Sequence, residues 1–124
     1  MNSRDPKLIA LLFNEFISNR DLEGLSGLMS PDHTFIDRTG AISRPKSVMV
    51  ESWRKFFAAC PKYYNTFSRI DSDGDAVSIA GFAYWSEEQP YDPVLWSARI
   101  ADDRVAEWRV LDDTPGNRKL LNLT

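Results

Sequence analysis

Leu28-Met29-Ser30-Pro31-Asp32-His33-Thr34-Phe35-Ile36-Asp37-Arg38-Thr39-Gly40 holds a helix end, a strand and a turn in one stretch. Leu28 and Met29 close an apolar helical stripe. Ser30-Pro31 stops that helix, because proline has no N–H to donate and its ring clashes with the preceding turn. His33 to Asp37 then reads as a strand, with His33, Phe35 and Asp37 on one face and Thr34 and Ile36 on the other. Thr39-Gly40 turns the chain. If Phe35 faces a core, Asp37 faces it too, from the strand's end.

Upstream, a first helix runs from about Pro6 to Asn19. Leu8, Leu11, Leu12, Phe16 and Asn19 keep helical spacing, and Phe13 and Ile17 widen the stripe. Asp21 caps a short second helix, Leu22 to Met29, which Gly24 and Gly27 weaken. Downstream, a third helix spans Pro45 to Ala59, with Ser43 as its cap and Met49, Trp53, Phe56, Phe57 and Cys60 as its stripe. Pro61 ends it. Strands follow at Tyr63–Ile70, Ala76–Trp85, Val94–Ala101 and Arg104–Leu111. The turn Asp71 to Asp75, the loop Ser86 to Pro93 and the hairpin Asp102-Asp103 separate them. The tail from Thr114 is polar at first and ends in Leu120, Leu121 and Leu123. The order α-α-β-α-β-β-β-β defines an α+β fold. The expected form is a cone, a curved and mostly antiparallel sheet wrapped around three N-terminal helices, with a pocket inside.

A length of 124 residues suits one domain, and 43% hydrophobic with 27% charged residues suits a packed globule. A net charge of −3 disfavours nucleic acid as a partner. One Cys and one His leave no intrachain disulfide and no ordinary zinc set, so no metal is expected, and proton transfer by a carboxylate would need no organic cofactor. No apolar run approaches a membrane span, and the first residues lack a signal-peptide core; a soluble, cytoplasmic protein is expected. Asp71-Ser72-Asp73-Gly74-Asp75 imitates the start of a calcium loop, but Phe82 stands where the loop needs its Glu, so a hairpin turn is expected. Aromatic residues reach 12%, four of them Trp. Such residues line pockets and subunit interfaces as well as cores.

Three segments resemble the nuclear transport factor 2-like superfamily. Phe16 to Leu25 is similar to its first helix and the Asn- and Asp-containing joint that follows. Leu28 to Gly40 is similar to its L-F-x-x-D-x-x-Φ-x-D-x-x-G stretch, Φ being apolar. Arg104-Val105-Ala106-Glu107-Trp108-Arg109-Val110-Leu111-Asp112 resembles the last strand of its SnoaL-like, polyketide-cyclase-like branch. The resemblance spans residues 6 to 113. It implies a conical pocket for a small apolar, carbonyl-containing molecule, and a homodimer. In the cyclase-like branch an acidic residue follows the final-strand Trp by four positions, as Asp112 follows Trp108. In the ketosteroid-isomerase-like branch the base matches Asp37, but the oxyanion donors fall on Phe13 and Trp96, which supply no phenol or carboxylic acid. The epoxide-hydrolase branch holds a water with an Asp-Arg-Asp triad, and the middle strands offer no convincing Arg-x-Asp for it.

The candidate catalytic residues are therefore Asp37 as general base, Asp112 as a second carboxylate, and His33. Two carboxylates near one apolar cavity would carry shifted pKa values, and that of Asp37 is expected to rise. Phe13, Trp53, Phe57, Trp96 and Trp108 are the candidate ligand-contacting residues. Plainer roles exist for each. Asp37 can pair with Arg38 or cap the Thr39-Gly40 turn, Asp112 can open a turn, His33 can bond to backbone, and the Trp side chains can fill core. Phe82 and Tyr84 fall on the face opposite Val77, Ile79 and Gly81. That outer apolar face is the expected dimer contact unless a bulge near Gly81 shifts the phase. A non-catalytic binding or dimerisation module of the same fold is the alternative function.

Overall fold

The computed structural model describes residues 4–88 and 91–124. Its elements are α1 (Pro6–Ser18), α2 (Leu22–Leu28), β1 (Met29–Ile36), β2 (Ile42–Ser43), α3 (Lys46–Ala59), β3 (Tyr64–Asp73), β4 (Ala76–Tyr84), β5 (Asp92–Ala101), β6 (Arg104–Asp112) and α4 (Pro115–Leu120). Helix starts follow local chemistry. The Asp5 side chain accepts from Lys7 N with Pro6 in the first turn, and Asp21 accepts from Gly24 N at 2.9 Å. Ser43 does not cap α3: it lies in β2, and Pro45 occupies the cap position without a side-chain bond.

The six strands form one open sheet in the order β2-β1-β6-β5-β4-β3. Every pairing is antiparallel except β1 with β6, so the sheet is mixed. β1 begins at Met29, earlier than the His33 start read from the sequence. Pro31 is accommodated because the β1–β6 register is irregular between Met29 and Thr34. The two-residue turns at Gly74-Asp75 and Asp102-Asp103 use left-handed backbone, with φ of 61° at Gly74, 52° at Asp102 and 59° at Asp103. Positive φ in both central residues of Asp102-Asp103 matches the twist of the paired strands. Of the loop Ser86 to Pro93, Gln89 and Pro90 lie outside the described residues, and Asp92 and Pro93 already belong to β5.

The concave face holds the main core. Val77, Ile79 and Ala83 of β4, Val94, Trp96, Ala98 and Ile100 of β5, and Val105 and Trp108 of β6 pack against Ile9, Ala10, Phe13 and Ile17 of α1. β4 alternates as the sequence suggests, with Phe82 facing out. The bulge near Gly81 lies on β3, between Phe67 and Arg69, so β4 keeps its phase. Gly81 sits so close to β3 that a Cβ there would fall 2.1 Å from the Thr66 carbonyl oxygen.

The convex face is partly covered by the tail. Thr114 caps the short α4 through Asn117 N, and Pro115 occupies its first turn. Leu121 and Leu123 then pack on Ala80, Leu95 and Leu111, and Arg69 Nη1 donates to the Leu123 carbonyl at 3.0 Å. An aromatic strip is left open beside this cover. Tyr64 and Tyr84 stack at 4.7 Å, and Tyr91 meets Phe82 edge-on at 6.1 Å. Among the described residues no helix is long and apolar enough to cross a membrane.

Candidate functional site

Between α3 and the concave face lies a cavity of about 390 Å³. That volume is within the range of small-molecule pockets. Its wall draws on five strands or strand ends: Phe35 from β1, Asn65 from β3, Ala83 and Trp85 from β4 and its end, Val94 and Trp96 from β5, Trp108 and Val110 from β6. Helix α3 adds Met49, Ser52, Trp53 and Phe56, one turn apart, and Tyr63 follows it. The rings brace each other. Trp53 meets Phe56 edge-on at 5.5 Å, Phe56 meets Tyr63 at 4.9 Å, and Tyr63 meets Trp85 at 4.8 Å. Such pairs contribute about 0.5–1.5 kcal/mol each beyond their burial, so the wall is stiff. Burial pushes the Tyr63 phenol pKa up, partly offset by the neighbouring Asn65 amide.

The solvent-facing end is polar. Asp37, Arg38 and Thr39 contribute there. Arg38 is the hub: its Nε donates to Asp112 Oδ1 at 2.6 Å, its Nη1 to Asp92 Oδ2 at 2.5 Å and its Nη2 to Asp92 Oδ1 at 3.3 Å. Trp85 Nε1 donates to the same Asp92 oxygen at 3.0 Å. Arg38 first, then Trp85, holds the Asp92 carboxyl below its ordinary pKa, against a smaller opposing effect of burial. That carboxylate therefore stabilises the fold above the usual carboxylate range and loses its contribution as pH falls through its own, lower value. One guanidinium thus ties the end of β1 to the start of β5 and the end of β6.

Four of the sequence-derived candidates line the cavity: Asp37, Trp53, Trp96 and Trp108. Asp112 stands beside the wall and pairs with Arg38, its side chain 59% exposed. Phe13 lies behind the wall, fully buried, 4.8 Å from the Trp108 ring and 5.7 Å from His33. Phe57 packs on Trp53 at 5.6 Å without reaching the cavity wall.

The environment of Asp37 differs from the expected one. Its Oδ1 accepts from Thr39 N at 2.8 Å, Thr39 Oγ1 at 2.6 Å and Ala41 N at 3.0 Å. It closes the turn whose Gly40 has φ of 88°. These donors, the Thr39 hydroxyl foremost, hold its pKa below the ordinary value instead of raising it. The arrangement stabilises the anion and makes Asp37 a weak base.

His33 is fully buried. Its Nδ1 lies 2.6 Å from the Val105 carbonyl, and Nε2 has no partner among the described residues. Burial lowers its pKa, outweighing the Val105 bond and the carboxylates of Asp32 and Glu107. The unfolded chain, with His near 6.5, binds a proton that the folded chain resists. Stability should therefore fall as pH drops from about 7 towards 5, by up to about 1.4 kcal/mol per unit, before the carboxylates begin to titrate. Urea unfolding across that range is the measurement. His33→Gln should remove most of the slope, and an unchanged slope would refute the assignment.

Arg38 and Asp92 were not singled out by the sequence, nor were Tyr63 and Asn65. The Arg38 partners lie 54 and 74 positions away, beyond any local pattern. The Arg69-Ile70-Asp71 stretch of β3 pairs Arg69 with Asp71 at 2.9 Å away from the cavity wall, and an Asp-Arg-Asp grouping arises instead from β1, β5 and β6. Among the described residues, no group of three His, Cys, Asp or Glu side chains is placed to hold a metal ion.

Solved structures share this architecture of helices inside a curved, unclosed mixed sheet. A candidate SnoaL-like polyketide cyclase from Shewanella putrefaciens superposes with a TM-score of 0.79 over 99% of this chain and 89% of its own, at 14% identity. The chain shares its fold with SnoaL-like and nuclear transport factor 2-like structures. A candidate polyketide cyclase from Sinorhizobium meliloti gives 0.73 over 82% of this chain and 92% of its own, at 20% identity. TerC, co-crystallised with polyporic acid, gives 0.74 over 95% and 99%, at 16% identity. At these identities the likeness is one of fold. No protein-family model and no curated protein sequence matches the chain.

Proposed function

We propose that this SnoaL-like protein binds a small apolar, carbonyl-containing molecule in its conical cavity. The observation that carries this reading is the 390 Å³ space walled by Phe35, Trp53, Phe56, Trp85, Trp96 and Trp108. Rings braced at fixed angles offer apolar area at little conformational cost on binding. The co-crystallisation of TerC with polyporic acid supports a small-molecule role for this kind of cavity.

Binding is the primary reading, and proton transfer of the isomerase or cyclase type is the second. Asp37 favours the second by its place on the cavity wall, and opposes it by its lowered pKa. A thermal-shift screen against apolar carbonyls, phenols and polycyclic compounds tests both, run on the native protein and on Asp37→Asn. A ligand at 100 times its Kd should add about 2.7 kcal/mol, a rise of several degrees in Tm. Binding without turnover predicts the same rise in both proteins and no solvent deuterium uptake beside the bound carbonyl. Uptake that disappears in Asp37→Asn would establish proton transfer instead. A screen with no stabilising ligand would remove the binding reading.

The open aromatic strip of Tyr64, Phe82, Tyr84 and Tyr91 is the proposed contact for a second copy, since the tail already occupies the rest of that face. Sedimentation should give a dimer that Phe82→Lys converts to monomer; a native monomer would end this proposal.

A further inference from the structure

His33 is the only imidazole in the chain, and it stands where β1 and β6 are least regularly joined. Met29 pairs with Val105, and Thr34 to Ile36 pair with Glu107 to Arg109, but the register shifts between Met29 and Thr34. Within that gap the His33 side chain reaches across to β6, its Nδ1 2.6 Å from the Val105 main-chain oxygen. A carbonyl only accepts, so Nδ1 carries the proton. In the neutral ring Nε2 then holds the lone pair, and it is buried without a partner among the described residues. A side chain, in one tautomer, thus supplies a cross-strand bond where the ladder is interrupted.

A second proton on this ring has no ready partner. The residue is fully buried, with the Phe13 ring of α1 5.7 Å away and Trp108 behind Phe13 at 4.8 Å. The charges that act on it come from three elements. Asp32 of β1 and Glu107 of β6 favour the proton, and Lys46 of α3 opposes it. His33 takes part in none of the ion pairs among the described residues. The Asp32 carboxylate already accepts from Ser30 Oγ at 2.8 Å. Little else holds this part of β1 in the sheet, since its other neighbour, β2, pairs with Phe35 and Ile36 alone.

We propose that His33 is a proton-operated latch: when Nε2 gains a proton, residues 29–34 leave β6 and bring the ring into water, while the antiparallel strands β3 to β6 stay paired. Opening one irregular segment exposes the ring at a smaller cost than unfolding the sheet. The opened ring titrates near its ordinary value of about 6.5 and the closed ring below it, so the open form binds more protons and gains on the closed one in acid. The opening constant should rise by up to about tenfold per pH unit below that value. Phe35, one residue beyond the segment, and Trp108, its partner on β6, both line the cavity. The latch therefore makes the wall beside them pH-dependent. That consequence for a bound molecule rests on the cavity reading above; the latch itself does not.

Hydrogen exchange followed by mass spectrometry tests the latch on the ligand-free protein, between about pH 7.5 and 5.5 and corrected for the intrinsic exchange rate. The thermal-shift screen decides the binding reading separately. Peptides covering residues 29–34 should lose protection by about tenfold over the lowest pH unit, while those covering β4 and β5 keep theirs. His33→Gln can still donate to the Val105 carbonyl but cannot gain a proton, and it should abolish that loss. The His33 Hε1 resonance, the one imidazole signal of the chain, gives a second reading on the native protein if the variant does not fold. Its shift should follow the loss of protection. Four results would each overturn the latch: loss of protection in all strands together, no loss by about pH 5.5, a loss that persists in His33→Gln, or a ring that titrates while residues 29–34 stay protected.

Discussion

Trp108→Ala is expected to remove about 3–5 kcal/mol of folding stability, the upper range for a buried large-to-small change. The side chain is 1% exposed and lies on β6 between Phe35 of β1 and Ala98 of β5. It touches two different spaces, the Phe13 layer behind it and the cavity in front. Truncation would join the new void to the existing one. The wall is braced ring against ring and has little freedom to collapse, so the cavity penalty is added to the lost burial. Small domains hold only about 5–15 kcal/mol in total. Urea unfolding should show the loss, and Tm should fall by more than about 10 °C. A loss below about 1 kcal/mol would mean that Trp108 is not packed as described.

Gly81→Ala should cost about 3 kcal/mol, the top of the usual overpacking range. The new methyl would meet the Thr66 carbonyl oxygen at 2.1 Å and the Phe67 Cα at 3.0 Å. These are main-chain atoms, so no rotamer change relieves the clash. Either β3 separates from β4 or the β3 bulge shifts, and a shift would disturb Asn65, Phe67 and the cavity floor. Gly27→Ala is the control. It has nothing within 4 Å of the added carbon and lies in α2, so it should stabilise by about 0.5–1 kcal/mol. Equal effects at the two glycines in chemical denaturation would sink the close-approach argument.

Much of the fold is legible in the sequence because it depends on local periodicity. The helical period of α1, the alternation of β4 and the Asp102-Asp103 turn each declare themselves within a few residues, but the buried face of α1 is Ile9, Ala10, Phe13 and Ile17, and Leu8 and Leu11 of the expected stripe face solvent because the surrounding leucines make the phase ambiguous. β2 is two residues long, too short for any period to register. The tail reads as a turn because Thr114-Pro115 is a turn signal, yet the same pair makes a good helix start, and α4 forms where Leu121 and Leu123 have a sheet to cover. The cavity is legible in part. Parity along β1 and β6 places Phe35, Asp37 and Trp108 on its wall, and helical spacing places Trp53. The charge state of Asp37 is not legible, because it depends on which N–H and O–H groups the turn directs at one oxygen. Nor is the Arg38 network, which exists only after three distant strand ends meet. Phe13 carries the right chemistry for a pocket but lies one layer too deep.

The parallel pairing of β1 with β6 also bears on the order in which the molecule can be assembled. β1 is made early, but its main partner is the last strand of the sheet, and until residues 104–112 emerge it has only the two residues of β2 beside it. Joining the two closes a loop that contains most of the chain, a contact that is entropically expensive and slow to form. The hairpins β3–β4 and β5–β6 have no such delay. The helical half can already meet β3, β4 and β5 through α1, but β1 gains its long partner, and the binding chamber its Trp108 and Val110 wall, only when the final strand arrives.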